Sequence, residues 1–222
     1  MAQNSWYVKK SKALRTNKLE KIINKFNEEY HHLMYIPKFK SIRSTLLGIF
    51  DNSDLIIEKK TFNIVSISCI AQIPPQSLNN AKDGISIYLS KFMLKVNHDV
   101  EGFSLCFTDI KLKEKEPKII SGDSSVMFLK ISFKLLNLVL KENSRIKVKI
   151  NKIEPSKIYL NFFHIIEATY FEEMLKYFRY DHKSNTFRRD NKIYSINDVM
   201  NFTIKNVTSS DTGSNVKLIG HI

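Results

Sequence analysis

Two successive prolines, Pro74-Pro75, separate a strand-like run from a helical one, and this junction constrains the fold more than any other feature of the sequence. Proline offers no N–H to a ladder and fixes φ, so a strand reaching it stops and the next element starts afresh. Before it, Phe62 to Ile73 places Val65, Ile67, Cys69, Ala71 and Ile73 on one side, which predicts a half-buried strand. After it, Leu78, Ala81, Ile85, Tyr88, Leu89, Phe92 and Val96 recur every three or four residues and predict an amphipathic helix, capped by Ser77 and left at Asn97-His98. Gly84 within that helix costs about 1 kcal/mol relative to Ala. Gly102 to Leu112 alternates again, but its apolar phase slips from Phe103, Leu105 and Phe107 to Ile110 and Leu112. A β-bulge at Thr108-Asp109 accounts for the slip.

Upstream, Asn17 can cap a helix whose stripe is Leu19, Ile22, Ile23, Phe26, Tyr30 and Leu33. Pro37 closes that helix, and Ile42 to Phe50 forms a short second one. Lys9, Lys10, Lys12, Arg15 and Lys18 precede them with no acid among them, and read as a flexible basic arm or a solvated tail. The adjacent pair His31-His32 points about 100° apart on a helix, poor geometry for a metal.

Downstream, a charged loop from Lys113 to Ser125 leads into Val126 to Leu140, the longest strand candidate, with Met127, Leu129, Ile131, Phe133 and Leu135 on one face. Asn143-Ser144 marks the boundary to a second domain. From Arg145 the pattern is nearly all strand: 145–153, 158–166 after a turn at Pro155, 186–194 with a turn at Asp190-Asn191, 199–207 and 216–222, with a short helix over 167–176. Such a series suits a small closed barrel of the oligonucleotide-binding (OB) type, which leaves few edges exposed. The fold class is therefore α+β: residues 1–60 a basic arm and helical extension, 61–142 a helix on a curved antiparallel sheet, and 143–222 an OB-type barrel.

Lys and Arg number 35 against 22 Asp and Glu, a formal charge of +13. A polyanionic partner and a compositional bias toward Lys, Asn and Ile are both open as explanations. Cys69 and Cys106 sit in separate predicted strands and read as two buried thiols in a reducing compartment. No run approaches the ~18 apolar residues of a membrane span, so a cytosolic or nuclear setting without a membrane partner is expected. The Asn-x-Thr patterns at Asn201 and Asn206 read as chance in that setting. No phosphate-cradling glycine loop, H-E-x-x-H, C-x-x-C or G-x-S-x-G occurs, and Asp109, Asp123 and Asp198 each fall at a turn or bulge, so neither an enzyme nor a cofactor is expected.

Several segments resemble the large subunit of the RNA polymerase stalk, a family with an archaeal member and a counterpart in each eukaryotic nuclear polymerase. Ile73-Pro74-Pro75, Gly102 to Leu112, and Gly122-Asp123 leading into the long strand are similar to its tip-domain pattern. Leu94 to Asn97, Val100 to Leu105, Ile158 to Tyr170 and the ending Asp198 to Val207 resemble the RNA polymerase I branch. Ile73-Pro74-Pro75 and Gly122-Asp123 also suit the polymerase III branch. The resemblance implies a tip domain followed by an OB barrel, and a non-catalytic subunit that docks on the other polymerase I subunits. It further implies a nuclear, nucleolar place, a small stalk partner, a polymerase I initiation factor and nascent RNA as partners. It departs at Leu140 to Ser144, where the family has Lys-Pro and then Gly, and in a second barrel strand without glycines. By resemblance the core-docking loop would comprise Lys113, Lys115, Pro117, Lys118, Gly122 and Asp123. The residues themselves offer Lys147, Lys149, Lys152, Tyr159, Arg188 and Arg189 as nucleic-acid contacts, since cations beside aromatics suit single strands. The corresponding subunit of polymerase III or II, and a free-standing OB-type RNA-binding protein, are the other readings.

Overall fold

The computed structural model describes residues 6–14, 16–51, 61–114, 118–120, 123–163, 166–171, 178–189, 191–209 and 216–221. They divide into two compact units, Met1–Leu46 with Lys60–Val139, and Leu47–Lys59 with Leu140–Ile222.

The first unit is built on a sheet in the order β1-β2-β6-β4-β3, comprising β1 (Tyr7–Ala13), β2 (Phe62–Ile73), β3 (Lys95–Asn97), β4 (Gly102–Leu112) and β6 (Asp123–Val139), with β5 (Lys118–Ile120) also paired to β6. All these pairings are antiparallel. The β2–β6 ladder is unbroken from Phe62↔Leu138 to Ile73↔Met127, and the predicted inward set of β2 is buried throughout. In β4 the register shifts between Thr108 and Lys111, where Asp109 takes φ 58°, so the bulge lies where the apolar phase slips. A second shift falls between Ser104 and Cys106.

Three helices complete the unit: α1 (Thr16–Glu29), α2 (Pro37–Asp51), whose last residues fall to the second unit, and α3 (Ala81–Ser90). Rings from α1, α2 and β4 meet in a cluster of Phe26, Tyr30, Phe39 and Phe107, with centroids 5.0–6.3 Å apart. Burying several rings at one point is what fixes α1 against the sheet.

Several expectations need correction. Residues 7–13 are not a flexible arm but an edge strand, and with α1 they belong to the same unit as the sheet rather than to a separate extension. The anchor is Trp6, whose ring meets Phe133 and Phe92 edge-on at 5.5 and 5.7 Å while its backbone N–H donates to Asp99 Oδ2. Pro37 begins α2, as suits a residue with no N–H to give, and Asn17 lies inside α1 instead of capping it. The helix after Pro75 is split: Pro75–Asn80 forms a 3-10 turn, α3 follows, and Val96 belongs to β3. Ser77 caps nothing, and Leu78 is 48% exposed. Gly84 is there for space, since a Cβ on it would lie 2.6 Å from Ser77 Cβ, so this glycine lets the 3-10 turn fold against α3.

The second unit holds a closed barrel in the order β13-β14-β9-β8-β7, formed by β7 (Arg145–Glu154), β8 (Lys157–Phe162), β9 (Ile166–Phe171), β13 (Val199–Ser209) and β14 (Val216–His221). Four pairings are antiparallel and β14–β9 is parallel, the arrangement of an OB-type barrel. The third barrel strand is therefore β9, where the sequence pattern suggested a helix; residues 172–176 of that helix lie outside the described set. The second strand also ends earlier than expected, at Phe162, because Phe163 turns the chain with φ 54°. The stretch expected to form strand over 186–194 is not part of the barrel: β10 (Arg179–Asp181), β11 (Thr186–Arg189) and β12 (Lys192–Tyr194) make a separate three-stranded sheet between β9 and β13 in the chain.

Packing at two positions carries a measurable cost. Trp6→Ala should cost about 3–5 kcal/mol and accelerate amide exchange along β1, read by urea unfolding and hydrogen exchange. Gly220→Ala should cost about 1–3 kcal/mol by overpacking, because a Cβ there would overlap the Thr203 carbonyl and the Phe202 ring. The same urea titration would show it.

Candidate functional site

The structure places the sequence-predicted residues in three regions. In the loop after β4, Lys113 N–H donates to the Lys130 carbonyl, and Glu114 lies 3.7 Å from both Lys118 and Lys130. Lys118 starts β5 and Asp123 starts β6, so this charged loop is in part a β-hairpin. Lys115, Pro117 and Gly122 lie outside the described residues.

The barrel candidates do not form one surface ready for nucleic acid. Lys152 Nζ is 2.6 Å from Glu154 Oε1 and 5.5 Å from the Tyr159 ring, and the Tyr159 hydroxyl donates to Glu154 Oε2 at 3.0 Å. A carboxylate therefore occupies the position from which this Lys-Tyr pair would meet a phosphate. Its hydrogen bonds from Lys152 and Tyr159 hold Glu154 below the usual carboxylate range, so it is charged at neutral pH. Lys147 and Lys149 are half-buried on β7. Arg188 and Arg189 lie on β11: Arg188 stands opposite Arg179, and the Arg189 guanidinium sits 5.4 Å from the Phe178 ring.

The third region emerges only from the register. Opposed residues in neighbouring strands share a face, and the pairs Tyr7↔Ser68↔Ser132, Lys10↔Ser66↔Lys134, Lys12↔Ile64 and Ile70↔Lys130 place these side chains on the face of the sheet opposite Val65 and Ile67. Between this face and α1 runs a cleft of about 740 Å³, whose lining includes Lys10, Lys12, Lys18 and Lys21 over Leu14, Ile22 and Ile64. At its end Asp109 holds Lys25 at 2.5 Å and Lys134 at 2.9 Å. Burial pushes the Asp109 carboxyl up, but the hydrogen bonds from the two lysines outweigh it and leave it below its ordinary value. Of the expected basic arm, Lys9 is the extra residue at the β1 register shift and Arg15 is outside the described residues. Sequence reasoning could not gather Lys130 and Lys134 with Lys10 and Lys12, since only the β1-β2-β6 pairing joins them.

Cys69 and Cys106 are free and buried, and burial pushes the Cys69 thiol up to about 12, which keeps it inert at neutral pH. Among the described residues no group of His, Cys, Asp or Glu is arranged to hold a metal, and no helix is long and apolar enough to cross a membrane.

Residues 68–124, from the second half of β2 to the first residues of β6, match a family model described as the SHS2 domain found in N terminus of Rpb7p/Rpc25p/MJ0397. This match supports an Rpb7-like stalk-subunit family. It does not distinguish one polymerase from another. No curated protein matches the chain.

The Asp109 bridge gives a pH prediction. A carboxyl whose folded pKa is depressed adds stability above its unfolded pKa and loses it as pH falls through the folded value. The wild type should therefore lose more stability than Asp109→Asn between pH 6 and acid pH, by about 0.5–1 kcal/mol because both lysines are partly solvated. Parallel urea midpoints across that range measure it.

Proposed function

We propose that this protein is a non-catalytic stalk subunit of DNA-dependent RNA polymerase I, in the nucleus and nucleolus, working in rRNA transcription. The observation that carries the stalk reading is the SHS2-type match over 68–124, followed in the chain by an OB-type barrel. The tip domain would dock on the core enzyme through the hairpin of β5 and β6, with Lys113 and Lys118 at its base. The remaining surface would be presented to an initiation factor, a small stalk partner and nascent RNA.

The polymerase I assignment rests on the resemblance of Leu94 to Leu105 and of the last barrel strands. In the segment from Leu94 to Leu105, Leu94 and Glu101 take φ 55° and 48°, Leu94 N–H donates to the Ser104 carbonyl, and Asn137 Nδ2 donates to the Val100 carbonyl. Gly102 stands where a Cβ would lie 2.5 Å from both Asn137 Nδ2 and the Leu138 carbonyl. A second reading is the polymerase III or II counterpart; Ile73-Pro74-Pro75 and Gly122-Asp123, which lie inside the matched range, suit the polymerase III branch.

Affinity purification of the tagged protein from its own cells at mild salt, with mass spectrometry of the co-purifying chains, decides between them. The expected result is recovery of the largest polymerase I subunits. Those of polymerase III or II would reassign the branch, and RNA recovered without any polymerase chain would overturn the stalk reading.

A further inference from the structure

Six lysines line the cleft between the sheet and α1, and one carboxylate, Asp109, stands among them. Lys10 and Lys12 alternate along β1 and so share a side. Lys18, Lys21 and Lys25 recur at spacings of three and four along one side of α1, and Lys134 reaches in from β6. Asp109 closes one end by holding Lys25 and Lys134. Lys10, Lys12, Lys18 and Lys21 are exposed, and among the described residues none of these four is in an ion pair.

Like charges at such helical spacings repel one another and weaken a helix. Lysines on an edge strand guard against pairing with another chain, which accounts for β1 but not for the lysines of α1. Both walls are nonetheless fixed. Trp6 packs on Phe92 and Phe133 immediately before β1, and Phe26 and Tyr30 pin α1 on Phe107. The fold therefore holds two rows of cations around one space of about 740 Å³, within the range of small-molecule sites.

The rest of the lining narrows the anion. Among the described residues it holds no aromatic ring to stack a base, and no arginine, asparagine or glutamine to read one or to grip a carboxylate in a planar pair. Beside the lysines lie the hydroxyl residues Ser66 and Thr108 and an aliphatic floor of Leu14, Ile22 and Ile64. Lysine is a point charge that takes phosphate without demanding planar geometry.

We propose that the cleft between the sheet and α1 binds a compact polyphosphate, several phosphates on one small aliphatic molecule, held by Lys10, Lys12, Lys18 and Lys21. A soluble inositol polyphosphate and the headgroup of a phosphoinositide lipid both offer this chemistry. The four lysines lie outside the hairpin of β5 and β6, so the site stands or fails separately from polymerase docking.

The test is isothermal titration calorimetry of the full chain with inositol hexakisphosphate at about 0.15 M salt. One equivalent per chain is expected. Lys12→Gln with Lys21→Gln, one lysine from each wall, should weaken binding at least about tenfold through loss of two charge-assisted contacts. Asp109→Asn should tighten it severalfold, because Lys25 and Lys134 are released toward the ligand. Two variants of the second unit change the net charge equally and should leave the affinity unaltered: Arg179→Gln with Arg188→Gln, and Glu154→Gln. Lys12 and Lys21 are exposed, so unchanged urea midpoints will show that their variant folds. Sedimentation with phosphatidylcholine vesicles containing phosphatidylinositol 4,5-bisphosphate distinguishes the sources. Binding to them that requires Lys12 and Lys21 identifies a lipid headgroup, and binding of the soluble probe alone a free polyphosphate; either supports the proposal. No binding, several weak equivalents per chain, or equal effects from the second-unit variants would overturn it. Displacement by oligouridine at equal phosphate concentration would also overturn it, making the cleft a general polyanion surface.

Discussion

The β2–β6 ladder is the interaction on which the first unit depends. Its pairs run without interruption from Phe62↔Leu138 to Ile73↔Met127 and align two strands far apart in sequence. Strands β1, β4 and β5 are each paired to one of the two, and β3 is added through β4. Because side chains alternate, a one-residue slip of β2 would turn Val65, Ile67 and Cys69 to water, and one of β6 would bring Lys130 and Lys134 inside. The buried row of Met127, Leu129, Ile131 and Phe133 makes that slip prohibitive. The register that buries those residues also exposes the lysine rows, so stability and surface chemistry come from one constraint.

What could be read in the sequence was what is local. The alternation of β2 and β6, the stop at Pro74-Pro75 and the phase slip at Asp109 each show in a few neighbouring residues, and the structure places them as expected. The errors arise where distant packing decides. Tyr7 to Ala13 has lysines enough to look like a tail, but Trp6 buries its ring against Phe133 and carries the strand onto the sheet. Over 167–176 the sequence offers Glu167, Ala168, Glu172, Glu173 and Met174, which suit a helix, yet β14 offers a parallel edge and closes the barrel through 166–171. At Gly84 a local propensity argument saw only a cost, whereas the neighbouring turn requires the missing Cβ.

The candidate sites divide in the same way. Lys-aromatic proximity in sequence pointed to the barrel, where Glu154 turns out to satisfy both Lys152 and Tyr159. The sheet face was invisible, since its lysines come from strands at opposite ends of the first unit's sequence and meet only through pairing. The SHS2-type match covers the part of the first unit that holds α3, β3, β4 and β5, and leaves β1 and α1 outside it. Those two elements are what add Lys10, Lys12 and the cleft to the sheet.

If the stalk reading holds, the hairpin side of the first unit, rather than the β1 edge of its sheet, lies against the large chains of a polymerase. Lysine-specific cross-linking of the complex isolated from native cells, read by mass spectrometry, tests it most directly. Cross-links from Lys113 and Lys118 to a large polymerase chain are expected, and none to that chain from Lys10 and Lys12. Cross-links to it concentrated on Lys10 and Lys12, or a complex without any polymerase chain, would refute the docking.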